Sequence, residues 1–164
     1  AGGVLDGKEI KMVIPGGSSM PPLTKEEAMS INMDDASLKA IGSSIGTAGV
    51  IVMNEDTDIV KVLIRIAEFY YHESCGQCTP CREGTGWMLR MLKRIDEGQG
   101  RKEDIELLVQ VANNIEGNTI CALGDAAAWP VRWTIKKFYN EFEKKLPKEK
   151  VVLEPENKVH ALRG

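Results

Sequence analysis

Three of the chain's four cysteines stand in one short run, His72-Glu73-Ser74-Cys75-Gly76-Gln77-Cys78-Thr79-Pro80-Cys81-Arg82-Glu83-Gly84, spaced Cys-x-x-Cys-x-x-Cys. The fourth, Cys121, lies 40 residues past Cys81 in a run of small residues. No other feature constrains the fold as tightly. Two distant segments must meet if all four sulfurs serve one purpose. Four thiolates with none left over match the ligand count of a 4Fe–4S cluster. On a straight helix Cys75 and Cys81 would stand roughly 9 Å apart along the axis, so the run is expected to bend. Gly76 can take positive φ, and Pro80 pushes Thr79 away from the helical region. A curling loop also aims backbone N–H groups at sulfur, and such bonds tune a cluster's potential.

Other uses of these cysteines need weighing. Structural zinc usually takes two Cys pairs, and a triple followed by a single fits that pattern poorly. Disulfides need an oxidising compartment. No secretory leader is visible, although the start at Ala1-Gly2-Gly3, without methionine, suggests a piece of a longer or processed polypeptide. A thioredoxin-like dithiol would leave Cys75 or Cys81 unused, together with Cys121. His72, one of two histidines, is surplus beside four cysteines and is expected at a helix end or on the surface. No Ser-His-Asp or Cys-His constellation is apparent.

The chain has 164 residues, room for one or two small domains, with a formal charge of −3. Neither the charge nor any basic face points to nucleic acid. No apolar run approaches the ~20 residues a membrane span needs, so membrane association is expected only through partners.

Residues 1–53 read as a small β-rich unit. Ile10, Met12 and Ile14 alternate with Glu9, Lys11 and Val13, as in a half-buried strand. Gly16-Gly17-Ser18-Ser19 and Pro21-Pro22 are turn material. Ser30–Met33 is a candidate second strand. Asp34 or Asp35 can cap a short helix carrying Leu38, Ile41 and Ile45. The run 49–53, Gly-Val-Ile-Val-Met, resembles a central strand. Together these suggest a β-grasp-like module. Gly42, Gly46 and Gly49 fit no phosphate-binding pattern and read as turns.

From residue 54 the period becomes helical. Asp56 or Thr57 can cap a helix with Ile59, Leu63, Ile66 and Tyr70 on one stripe and Val60, Ile64, Ala67 and Tyr71 on the next. A second helix carries Met88, Met91, Leu92 and Ile95 and stops at Gly98. A third spans about 102–115, with Ile105, Leu108, Val109, Ala112 and Ile115 on one side, and Gly117 ends it. Residues 119–129 read as a loop. A fourth helix is expected from Pro130, with Val131, Ile135, Phe138 and Phe142 facing inward and Pro147 closing it. The seven methionines read as core filling, and Trp129 and Trp133 as packing anchors. The expected class is α+β: a β-grasp-like module over 1–53, a four-helix bundle carrying a 4Fe–4S cluster over 54–146, and a charged tail over 147–164. The loops at Cys75–Cys81 and Cys121 should meet at one end of the bundle. Arg82, next to the third cysteine, can raise the potential of a negative cluster, or can form a surface ion pair with Glu83 or Asp125.

The run 73–84, Glu-Ser-Cys-Gly-Gln-Cys-Thr-Pro-Cys-Arg-Glu-Gly, resembles a signature of the NADH- and FMN-binding flavoprotein subunits of respiratory complex I, NADH:quinone oxidoreductase. The run 120–131, Ile-Cys-Ala-Leu-Gly-Asp-Ala-Ala-Ala-Trp-Pro-Val, resembles that family's second signature, and residues 13–19 and 49–53 fit its soluble-ligand-binding module. The resemblance covers residues 1–146. It implies that Cys75, Cys78, Cys81 and Cys121 hold a 4Fe–4S cluster, with Ala122 and Leu123 toward the flavin. It further implies an electron-entry role in which NADH reduces FMN and the cluster takes electrons singly toward quinone. The family's flavin- and NADH-binding domain has no counterpart here, so FMN and NAD(H) are expected only through that missing N-terminal domain.

Implied partners are that domain, a 2Fe–2S thioredoxin-like subunit and a large multi-cluster subunit. The implied location is peripheral, on the cytoplasmic face of the bacterial inner membrane or the matrix side of the mitochondrial one. Equivalent modules in the diaphorases of NAD-linked hydrogenases and formate dehydrogenases are the alternative, although residues 122–131 favour complex I. A zinc-stapled interaction domain is the reading from another class.

Overall fold

The alternation at residues 10–14 forms strand β1 (Ile10–Ile14), the middle strand of a three-stranded antiparallel sheet in the computed structural model, which describes residues 3–147. Its neighbours are β2 (Leu23–Thr24) and β3 (Ile51–Asn54). Met12 faces Thr24 on one side and Met53 on the other, and Val13 faces Leu23 and Val52. Both faces of β1 are covered. Met12, Ile14 and Met53 pack on Ile59, while Val13 and Leu23 pack on Leu38.

Two expectations fail in this unit. Ser30–Met33 is no strand: Thr24, a strong N-cap with Glu27 completing a capping box, nucleates helix α1 (Lys25–Ser30), and the chain leaves it without pairing. The apolar run at 49–53 makes an edge strand, not a central one. Val50, Ile51 and Val52 are 44–47% exposed. Asp34 caps helix α2 (Asp35–Ala40) as expected, but that helix ends before Ile41 and Ile45. Residues 16–17 pack backbone to backbone against 45–49: Thr47 N–H donates to Gly16 O at 3.0 Å and Gly17 N–H to Gly49 O at 2.9 Å. A Cβ on Gly16 or Gly46 would strike the opposing backbone at 2.3 Å, so these glycines serve close approach.

Four longer helices follow: α3 (Ile59–Glu73), α4 (Thr79–Asp96), α5 (Lys102–Ile115) and α6 (Leu123–Glu143). They share one apolar core in which Leu63, Met88, Leu92, Ile95, Ile105, Leu108, Ile115 and Phe142 are almost fully buried. Asp58 caps α3, accepting from Val60 and Lys61 N–H, in place of Asp56 or Thr57. Thr57 bonds Asn54 instead. Tyr71 is 47% exposed, so the second stripe of α3 stops at Ala67. On α5 the buried position is Val111, and Val109 is only half-buried.

The largest correction is at α6. It starts at Leu123 and carries Pro130 buried within it. An interior proline costs about 3 kcal/mol by removing a helical hydrogen bond. Burial of Ala127, Ala128, Val131 and Ile135 on the shared core offsets this, at about 1.5–3 kcal/mol for each larger side chain. Phe138 leaves helical geometry (φ −127°, ψ 32°) and packs toward the sheet instead of the helical core. Polar ties join the two halves: Lys11 to Glu141 at 2.8 Å, Lys137 to Glu27 at 2.6 Å, and the hydroxyls of Ser18 and Tyr70 at 3.0 Å. Pro147 ends the described residues, and the rest of the expected tail lies outside them.

Candidate metal centre

Helix α3 ends where its face runs out of apolar residues, and Ser74 N–H closes its last turn on Tyr70 O at 3.1 Å. Gly76 then takes φ +78°, a left-handed turn that reverses the chain at little steric cost to glycine. Thr79, expected outside the helical region, is the first residue of α4, and Pro80 occupies its first turn, where a missing N–H removes no helical bond. The bend is therefore made by extended Ser74 and Cys78 with left-handed Gly76 between them, and not by Pro80.

Cys78 is the N-cap of α4 and Cys81 lies in its first turn, where no acidic residue stands. Such a place presents unpaired N–H groups and the positive end of the helix dipole to a bound anionic group. Cys81 is 7% exposed, Cys78 is half-buried and Cys75 is exposed.

The second segment comes from the α5–α6 link. Gly117 N–H donates to Asp125 at 2.7 Å, and the Thr119 hydroxyl donates to Cys121 O at 2.9 Å. These bonds fold residues 117–122 back over the start of α6, directly before which Cys121 stands exposed. The segment reaches the triple: Ile120 N–H donates to Cys78 Sγ at 3.3 Å. The residue adjoining Cys121 thus touches the middle cysteine. The Ser74 hydroxyl lies 3.3 Å from Cys81 Sγ.

Among the described residues, no three His, Cys, Asp or Glu side chains group closely enough to share one ion. A four-iron cube makes no such demand, because each iron takes its own thiolate at a separate corner. The donor set fits such a group: four free thiols from two loops, at two helix N-termini, with N–H and O–H donors already at two of the sulfurs.

Arg82 donates through Nε to Glu83 and through Nη1 to Gly76 O, each at 3.0 Å. Asp125 is engaged by Gly117 instead. Ala122 is exposed, and Leu123 is half-buried against the helical core. His72 is 87% exposed and pairs with Glu73 at 3.2 Å. Trp129 donates from Nε1 to Glu116 at 2.7 Å. The hydroxyls of Ser74 and Thr119 and the Ile120 N–H are site groups that sequence reasoning missed. Nothing in the composition marks them, since each matters only once the loops meet.

Residues 61–145 match the family model described as the NADH-ubiquinone oxidoreductase-F iron-sulfur binding region. The NADH-quinone oxidoreductase F subunit of Rickettsia bellii (strain OSU 85-389) is 55% identical over 147 residues, 89% of this chain and 35% of that protein. The corresponding F 1 protein of Rhizobium meliloti (strain 1021) is 51% identical over 146 residues, covering 88% and 34%. This chain therefore spans about a third of the length of these curated relatives. Among solved structures, an NAD+-reducing [NiFe]-hydrogenase in the H2-reduced state superposes with a TM-score of 0.73 at 26% identity, over 88% of this chain and 24% of that one. With half the chain matched by the family model, and the cysteine loops lying inside the match, the protein belongs to the iron–sulfur binding region family of NADH-ubiquinone oxidoreductase F proteins.

Proposed function

We propose that Cys75, Cys78, Cys81 and Cys121 hold one 4Fe–4S cluster, and that the chain is the iron–sulfur part of an electron-entry module in NADH:quinone oxidoreductase. The observation that carries this is the 3.3 Å contact of Ile120 N–H with Cys78 Sγ, which joins the two cysteine loops. Such a cluster supplies one-electron transfer at an accessible potential. The protein's residues do the rest. Cys81 anchors the site in the core, Cys78 and Cys121 sit at helix N-termini, and Ile120 N–H supports Cys78 Sγ. Cys75 and Cys121 leave an open rim for a donor, with exposed Ala122 beside them and Leu123 behind it. On this reading residues 1–53 are a β-grasp-like module, 54–146 a four-helix cluster domain and 147–164 a tail.

NADH and FMN chemistry is assigned to the rest of the relatives' length, and electron acceptance to this segment. The flavin- and NADH-binding domain and neighbouring iron–sulfur subunits, a 2Fe–2S thioredoxin-like one and a large multi-cluster one, are the proposed partners. Peripheral placement at a bacterial inner or mitochondrial inner membrane accords with there being no helix, among the described residues, long and apolar enough to cross a membrane. The likeness to the NAD+-reducing hydrogenase supports a second reading, the same module in a diaphorase. Co-purification with a hydrogenase large subunit would favour it.

The test is iron and sulfide analysis with low-temperature electron paramagnetic resonance (EPR) of the dithionite-reduced chain. Four irons and four sulfides per chain, lost in Cys121→Ser as in Cys78→Ser, are expected. One zinc per chain without sulfide would end the proposal in favour of a zinc-stapled domain.

A further inference from the structure

We infer that Ser74 is a positioning residue whose hydroxyl donates a hydrogen bond to the Cys81 thiolate and thereby sets the electron affinity of the site; this rests on the four-cysteine reading above. The Ser74 oxygen lies 3.3 Å from Cys81 Sγ, and the Gly76 N–H donates to that same oxygen at 3.4 Å. One Ser74 lone pair is thus engaged from behind, and its proton is directed at sulfur. A ligating thiolate carries no proton, so the hydroxyl is the donor. The N–H···O–H···S chain polarises in one sense, each bond strengthening the next.

The setting magnifies the effect. Cys81 is the buried cysteine of the four, so water does not reach its sulfur as it reaches those of Cys75 and Cys121. Arg82 Nη1 on Gly76 O and the Thr85 hydroxyl on Cys81 O, at 3.0 and 2.8 Å, hold both ends of the chain in place. A hydrogen bond to a ligand sulfur stabilises the more negative, reduced state more than the oxidised one. Removing it therefore lowers the midpoint potential. No bond is made or broken, and the hydroxyl keeps its proton when an electron arrives.

Ser74→Ala keeps all four cysteines and the backbone N–H that closes α3. Ser74→Thr keeps the hydroxyl, and the backbone at Ser74 (φ −64°, ψ 122°) accepts a β-branched residue. The experiment is an EPR-monitored redox titration of the 164-residue chain as wild type, Ser74→Ala and Ser74→Thr, with iron and sulfide measured on each. The expected result is unchanged cluster content, a more negative midpoint for Ser74→Ala and near wild-type behaviour for Ser74→Thr. An unchanged midpoint in Ser74→Ala at full cluster content overturns the inference and leaves the cluster reading standing. Absence of iron and sulfide in the wild type overturns the cluster reading itself. Should Ser74→Ala lose its cluster, Ser74→Gly is titrated in its place. A more negative midpoint there supports the inference, and an unchanged midpoint, or a Ser74→Thr chain that behaves no better than Ser74→Ala, refutes it.

Discussion

Gly124 in the first turn of α6 is the position where one added methyl tests how the Cys121 loop is held. A Cβ there would lie 2.3 Å from Thr119 Oγ1, 2.6 Å from Cγ2 and 2.9 Å from Cβ. These atoms belong to a short β-branched side chain with no flexible end to yield. The Thr119 hydroxyl is also bonded to Cys121 O. The added methyl must push residue 119 outward, and the segment reaching Cys78 through Ile120 moves with it. Overpacking of this kind costs about 1–3 kcal/mol, and three contacts this short place it at the upper end. Alanine regains up to about 1 kcal/mol of helix propensity over glycine. The net expectation for Gly124→Ala is a loss of about 2 kcal/mol, or about 4–8 °C in Tm for a chain of this length.

Thermal denaturation of the cluster-free chain, followed by far-ultraviolet circular dichroism, measures this directly. The double variant Thr119→Gly with Gly124→Ala removes the obstructing atoms and should recover more than about 1 kcal/mol relative to the sum of the single changes, as coupled neighbours do. A Gly124→Ala chain that melts at or above the wild-type temperature would refute the reasoning. So would a penalty of equal size in the Thr119→Gly background.

At the far end of the helices, Asp104 is fully buried, caps α5 by accepting from Arg101 N–H at 2.8 Å, and pairs with Arg94 at 2.6 Å. Burial opposes its ionisation, but the Arg101 N–H, the Arg101 side chain and the Arg94 charge together hold its carboxyl below the usual carboxylate range. Its stabilising effect is thus complete above the unfolded value near about pH 3.9 and is lost as pH falls through the lower folded one. Asp104→Asn should cost about 1–2 kcal/mol in urea unfolding at pH 7 and progressively less below about pH 4, and a pH-independent difference would count against the account. Phe142→Ala, at a fully buried site in the helical core, should cost about 3–5 kcal/mol in the same assay, and a loss under about 1 kcal/mol would mean the core is misdescribed. Arg82 pairs with Glu83 and braces Gly76 O, so, with a cluster bound, Arg82→Ala should loosen its retention and lower the midpoint, whereas Glu83→Gln, which frees the guanidinium, should raise it. A midpoint unmoved in both variants at full iron content would remove this pair from the tuning of the site.

The helical half was legible because each long helix announces itself twice, in its period and in its punctuation. Helix α5 runs from residue 102 to 115 as read, since its apolar stripe is bounded by Gly98, which stops the preceding helix, and by Gly117 after it. Where the punctuation competes with packing, the reading fails. Pro130 looks like a helix start because proline is favoured there, yet residues 123–128 extend the helix upstream, and core burial of Ala127, Ala128, Val131 and Ile135 together offsets the proline's cost. The sheet was harder for a different reason. A two-residue strand such as β2 has no period at all, and Leu23–Thr24 shows only as the lead-in to a capping box. The run at 49–53 is apolar enough for a central strand, but strand order is a property of three segments, and the outer position of β3 leaves Val50, Ile51 and Val52 partly uncovered.

The cysteines stand out in the sequence as a candidate set because ligand count and spacing are sequence properties. Their unequal surroundings were not. Cys81 becomes the buried sulfur only because helical periodicity turns position 81 of α4 inward with Thr85, Met88 and Leu92, one to three turns below it on the same face. Cys75, on the far side of the Gly76 turn, has no helix to carry it inward and stays exposed. The same periodicity that builds the core therefore grades the site from dry to wet across two turns of chain. Low dielectric strengthens each polar contact at the dry corner, so one hydroxyl or N–H there carries more electrostatic weight than the same group at the rim. The groups that set the behaviour of such a site are those that packing keeps from water, and a motif scan does not see them.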